Sequence, residues 1–212
     1  MASSPRIRNT LTLFTAADNV LCHRVRLVLA AKGVAYDLVL VDPAKPPDDL
    51  VELNPYHTLP TLVERDLVLY SASVVSEYLD ERYPHPPLMP IDPLSRARLR
   101  LAMLRMEHDW LPQIQLIREA PKAQADTARK RLRELLIEMA PLLKVAKFFL
   151  NTEMSLADCA LAPIIWRLPS LHINLPREEG KLIEDYGQRL FRSPGFVRSL
   201  TAEERALREE TA

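Results

Sequence analysis

The sequence predicts an α/β first half followed by an all-α second half. Three observations carry this reading. Strand-like runs occur only as far as Tyr70, later apolar patterns have helical spacing, and five prolines between Pro84 and Pro93 mark the change. Each proline fixes φ and removes a backbone donor, so YPHPPLMPIDP (Tyr83–Pro93) can be neither helix nor central strand. It reads as a stiff, extended spacer. The expected organisation is a first domain at 9–83, a proline-rich segment at 84–93 and a helical domain at 94–204.

The elements follow in order. TLTLFT (Thr10–Thr15) is rich in apolar and β-branched residues and is the first strand. Asp18 is placed to cap a helix over NVLCHRVRLVLAAK, with Val20, Leu21, Val25, Val28 and Leu29 as its apolar face and Gly33 as its stop. AYDLVLV (Ala35–Val41) is the second strand, and a βαβ order asks for a parallel pair with a right-handed crossover. A proline-rich loop, DPAKPPDDL, leads to a short helix ending near Asn54 and Pro55. PTLVERDLVLY contains two short strands around a turn at Arg65 and Asp66. SASVVSEYLDERY closes this half as a helix striped by Val74, Val75, Tyr78 and Leu79. Beyond Pro93, helices are expected from Leu94 to about Ala120, from Thr127 to Val145, over SLADCALAPIIWRL, and around Glu178–Arg192 and Gly195–Leu200.

Composition excludes several functions. The 212 residues, 48% hydrophobic and 26% charged, describe an ordinary globule with a sizeable core. No apolar run is long enough to span a bilayer, and MASSPRIRNTL lacks the apolar stretch of a secretory signal. Cys22 and Cys159, without a CxxC, suit a reducing cytoplasm and argue against a disulfide framework or a cysteine-built zinc site. With four glycines there is no GxGxxG or GxxxxGK[ST], which excludes a glycine-built phosphate cradle. His23, His57, His85, His108 and His172 show no ligand spacing, so no metal is expected; His108 reads as an exposed or interhelix residue. Net charge is zero, yet residues 94–150 hold twelve Lys and Arg against six Asp and Glu, while 1–93 hold eight against twelve. The basic stretch reads chiefly as a solvated helix face. Neither an overall basic balance nor a recognition motif supports direct, sequence-specific nucleic-acid binding.

TLPTLV around Pro60, SLAD at Ser155–Asp158, and the order of strand, RVRLVLAAKGV and NPYHTLPTLV resemble the glutathione-transferase fold, a thioredoxin-like domain followed by a helical one. That resemblance implies a cis peptide before Pro60, with the Leu59 backbone beside a peptide-like ligand. Ser155 and Asp158 are expected to form a variant of the capping box that opens the central helix of the second domain. YLDERYPHPPLMP, SLADCALAPIIWRLP and SLTAEERALRE are similar, more closely, to the stringent starvation protein A family. This implies a cytoplasmic homodimer that associates with RNA polymerase holoenzyme or its sigma factor. It also implies a role for Pro84, His85 and Pro86 as an exposed contact surface in transcription activation, and no transferase activity.

The ligand site implied by the fold is altered. Aligned on Arg24–Arg26, the position used by serine- and cysteine-type transferases is Asn19, which supplies neither a nucleophile nor an ionisable hydroxyl. Cys22 reads as a small packed residue. Ser71 and Ala72 stand where the family holds the γ-glutamyl group with an acid or glutamine followed by serine. Each lost charge-assisted bond costs about 1.5–3 kcal/mol. No cofactor is therefore expected, and glutathione only weakly, at the helix N-terminus. The alternative is a glutathione-dependent transferase or isomerase with this substituted site. Prolines flanking His85 pre-order the backbone for recognition.

Overall fold

The computed structural model describes residues 10–209. Four strands, β1 (Thr12–Thr15), β2 (Asp37–Leu40), β3 (Thr61–Glu64) and β4 (Leu67–Tyr70), form one sheet in the order β2-β1-β3-β4. β1 runs parallel to β2, as the βαβ order requires, and antiparallel to β3, which forms a hairpin with β4. The central strands are accordingly apolar and buried, whereas the edges expose Leu38, Leu40, Leu67 and Tyr70. Arg65, at φ 57°, makes the tight turn between β3 and β4.

Helix α1 (Val20–Lys32) covers one face of the sheet beside α3 (Ala72–Arg82), while α2 (Asp48–Leu53) is the short helix of the loop before β3. Leu50 of α2 joins Phe14, Val41 and Val63 in a small separate core. Asn19, rather than the expected Asp18, caps α1: its Oδ1 accepts from the Cys22 amide at 3.0 Å. Gly33 ends the helix at φ 65°, where its missing Cβ makes the left-handed conformation accessible. An amphipathic α1 was expected. Instead it is buried on nearly all sides, because the sheet lies on one flank and α7 and α9 on another.

The second half is helical. α4 (Pro93–Arg105) passes through a π-helical stretch, Met106–Trp110, into α5 (Leu111–Glu119). The Leu111 amide bonds the Met106 carbonyl, five residues back. Pro112 has no N–H to give His108, so the ladder widens just ahead of it. α6 (Lys122–Met139) begins earlier than expected and tightens into a 3-10 stretch at Ala140–Lys144, around Pro141. α7 (Leu156–Arg167) is enclosed on almost every side, followed by α8 (Arg177–Phe191), α9 (Pro194–Ser199) and α10 (Ala202–Glu209). The sequence reading did not predict α10. One continuous core joins Leu13, Val25 and Leu79 of the first half to Met103, Leu161 and Phe196 of the second.

Candidate functional site

A cleft of about 510 Å³ opens between the two halves, lined in part by Leu21, Tyr56, Leu59, Ser71, Ala72 and Glu107. Three of the predicted ligand-site residues, Leu59, Ser71 and Ala72, thus share one cavity. Leu59 precedes Pro60 across a cis peptide, and Pro60 itself is buried. Ser71 sits at φ 92° as the residue before α3, with no side-chain bond into that helix. Ala72 is buried and contributes only a methyl group.

Asn19 is not among the residues lining the cleft, since its amide oxygen is committed to the Cys22 N–H. Cys22 is fully buried, and its Sγ accepts from the Ala16 amide at 3.3 Å. Burial pushes this thiol above its ordinary pKa, outweighing the Ala16 bond, so it is a packed group and not a thiolate. Burial likewise raises Cys159.

Glu107, from the π-helical stretch, is the charged side chain lining the cleft. It accepts from Arg24 Nη1 at 2.5 Å and from the Ser73 hydroxyl, tying α1 and α3 to the second half. Among the described residues no Lys, Arg or His lines the cleft. The cavity offers a carboxylate and two tyrosines, Tyr56 and Tyr70, whose ring centroids are 5.3 Å apart. Such a lining is poorly matched to an anionic tripeptide.

Apart from the cleft there is a buried polar cluster that the sequence reading missed. Glu204 of α10 is inaccessible and accepts from Arg26 Nη2 at 2.6 Å on both oxygens, from Arg167 Nη2, and from the Thr201 amide at 3.1 Å. Arg26 also donates to Thr15 Oγ1 at 2.6 Å and to the Ser199 carbonyl at 2.9 Å. Arg167 holds Asp18 Oδ1 at 2.9 Å and His23 Nδ1 at 3.1 Å. Because a guanidinium can only donate, His23 Nδ1 accepts, and Nε2 must carry the proton given to Ser199 Oγ at 3.0 Å. Burial, then Arg167 and Arg26, hold the His23 pKa well below its usual value. A signal was present: Arg24, Arg26 and Arg167 interrupt strongly apolar helices, where a surface role is hard to satisfy.

The proline-rich segment is anchored from within. Lys32, buried at the end of α1, donates to Asp80 Oδ1 and to the Pro86 carbonyl, both at 2.6 Å. Asp80 Oδ1 also accepts from the Leu88 amide at 2.7 Å. Leu88 and Met89 point inward, while Pro84, His85, Pro86 and Pro87 are exposed, with the His85–Pro86 peptide cis. The exposed turn is therefore fastened to the body of the protein at its C-terminal side, through the Pro86 carbonyl and the Leu88 amide. His108 is exposed on the π-helical stretch.

Ser155 and Asp158 occupy the start of α7 in capping-box arrangement. The Ser155 amide and hydroxyl both donate to Asp158 Oδ2 at 2.8 Å. Asp158 Oδ1 takes the Phe149 amide at 2.8 Å and the Tyr186 hydroxyl at 2.5 Å. The aspartate is thus a buried node joining α7, α8 and the loop before α7.

Residues 20–82 match the family model of the glutathione S-transferase N-terminal domain, and residues 94–194 that of the C-terminal domain. A stringent starvation protein A homolog of Pasteurella multocida (strain Pm70) is 45% identical over 200 residues, covering 94% of each chain. Another, of Coxiella burnetii (strain RSA 493 / Nine Mile phase I), is 44% identical over 202 residues, 95% of this chain and 97% of that one. The structure of a Tau class glutathione S-transferase from mango (Mangifera indica L.) superposes with a TM-score of 0.80 at 20% identity, covering 96% of this chain and 99% of that one. The chain therefore belongs to the stringent starvation protein A family, built on the glutathione S-transferase fold.

Proposed function

We propose that this protein is a cytoplasmic regulator of transcription that binds RNA polymerase holoenzyme through protein contacts, using Pro84, His85 and Pro86, and that it is not a transferase. The observation that carries this reading is the clamp of Lys32 and Asp80 beneath the exposed turn. A surface whose backbone is already ordered loses little entropy on binding. The relatives are named for stringent starvation, which supports a regulatory reading, and the family resemblance implies polymerase association. The cleft supports the second half of the proposal: Asn19 is used as a cap, Cys22 is a buried thiol, and Ser71 and Ala72 supply no charge. The described cysteines are both free, which suits a reducing compartment.

The same reading includes a homodimer. Val74, Leu94, Leu101 and Leu104 leave apolar surface on α3 and α4, which Arg100 and Glu77 join at 2.7–2.9 Å. Sedimentation showing only monomer at micromolar concentration would contradict it. The functional test is capture of core polymerase and sigma factor by the purified protein. Retention of holoenzyme with no glutathione turnover of an electrophile is expected; glutathione turnover without polymerase retention favours the other reading. That second reading, a transferase or isomerase with a substituted site, is supported by the cleft of about 510 Å³ beside Leu59 and cis Pro60.

A further inference from the structure

Much of the basic excess of residues 94–150 is matched at the surface: Arg96 with Glu81, Arg100 with Glu77, Arg105 with Asp109 and Arg131 with Glu134. One turn of α6 is different. Arg129, Lys130 and Arg133 face the loop between α7 and α8, and with His172 and Asn174 they line a cavity of about 330 Å³. Arg129 Nε donates to the Leu171 carbonyl at 3.1 Å, and Arg133 Nε to the Asn174 carbonyl at 2.7 Å. These bonds fix both guanidinium groups on the loop. Arg129 gives Nη1 to Asp126 at 2.7 Å. The Nη atoms of Arg133, Nζ of Lys130 and the ring of His172 have no partner among the described residues.

His172 is held at φ 55°, with its amide bonded to the Pro169 carbonyl at 2.9 Å. No carboxylate lines the cavity. Arg129 is offset by Asp126, which leaves Lys130 and Arg133 as neighbouring cations that an entering anion would stabilise.

We propose that this cavity binds a small phosphorylated anion. Arg133 supplies a planar fork, Lys130 a point charge, and His172 and Asn174 further donors, the set that phosphate oxygens require. The cations gather at an open concavity between one turn of α6 and the loop after α7, which fits a compact ligand better than an extended nucleic-acid backbone.

The test is calorimetric titration of the full chain with pyrophosphate, with ADP and with a short DNA duplex, each at constant ionic strength set with chloride. Lys130→Gln removes a charge that fastens nothing, so its ligand-free thermal midpoint should match the parent. Saturable pyrophosphate binding is expected, weakened about tenfold by Lys130→Gln. Equal affinity for ADP and pyrophosphate would assign recognition to the phosphates alone, and tighter ADP binding would identify a nucleotide; both support the site. The proposal is overturned if neither ligand saturates, if only the duplex binds, or if affinity is unchanged in both Lys130→Gln and His172→Ala.

Discussion

Replacing Glu204 with alanine removes the anion between two buried guanidinium groups. Arg26 is 1% exposed and Arg167 fully buried, so neither can recover its lost partner from water without the structure opening. Arg26 keeps Thr15 Oγ1 and the Ala16 and Ser199 carbonyls, and Arg167 keeps Asp18 and the Pro163 carbonyl. Those bonds satisfy donors but, Asp18 apart, do not neutralise charge. Breaking a buried pair by deleting one partner costs about 3–5 kcal/mol. We expect a loss in that range, read from urea midpoints at matched slope. The three residues lie on α1, α7 and α10, so the loss should be cooperative across both halves. In an Arg26→Met background the same deletion should cost less, because one stranded cation is gone. A loss below about 1 kcal/mol in the parent background would refute the claim that these charges depend on Glu204.

His23 gives a pH prediction. Its folded-state pKa lies well below the ordinary value, under burial, Arg167 and Arg26, with Glu204 the facing anion. The unfolded chain therefore binds a proton that the folded one refuses. Its contribution is fully present above about pH 6.5 and is lost at about 1.4 kcal/mol per pH unit below it. The difference between parent and His23→Asn in urea unfolding should shrink by about 1 kcal/mol from pH 6.5 to 5.5, where the unfolded histidine goes from half to nearly fully protonated, and a pH-independent difference would contradict the assignment. Ser155→Ala should cost about 1 kcal/mol through loss of the cap hydroxyl. Asp158→Ala, which strands the Tyr186 hydroxyl and two amides, should cost about 3 kcal/mol or more. An unchanged denaturation midpoint in Asp158→Ala would remove it as a buried node.

The strands, the parallel β1–β2 pair and the hairpin at Arg65 were legible because period-two patterns and turn residues act locally. Pro60 and the Ser155–Asp158 arrangement were legible through resemblance, and the structure has the cis peptide and the capping box. Asp18 misled because both Asp18 and Asn19 are capping types; only tertiary structure decides that Asp18 instead pairs with Arg118 at 2.7 Å and with Arg167. Glu204 was illegible for a related reason. Nothing in AEERALRE marks Glu204 for burial, which depends on arginines 178 and 37 positions away in the chain. Which partners Arg24, Arg26 and Lys32 find is likewise set by tertiary structure, once the second half and the proline-rich segment cover α1. The π-helical stretch also needed the structure, since Pro112 alone allows a kink, a break or a widened turn.

The proposal stands most directly on the exposed turn at Pro84–Pro86. The measurement is the affinity of RNA polymerase holoenzyme for the parent and for the Pro84→Ala, His85→Ala, Pro86→Ala triple variant, with urea stability determined on the same preparations. The Pro86 carbonyl that meets Lys32 is retained in the variant, and the Leu88 amide that meets Asp80 lies outside the substituted residues. Stability should therefore change little, while affinity falls at least about tenfold, roughly 1.4 kcal/mol. Normal polymerase binding by the folded variant would contradict the account and leave the turn as a connection between the two halves.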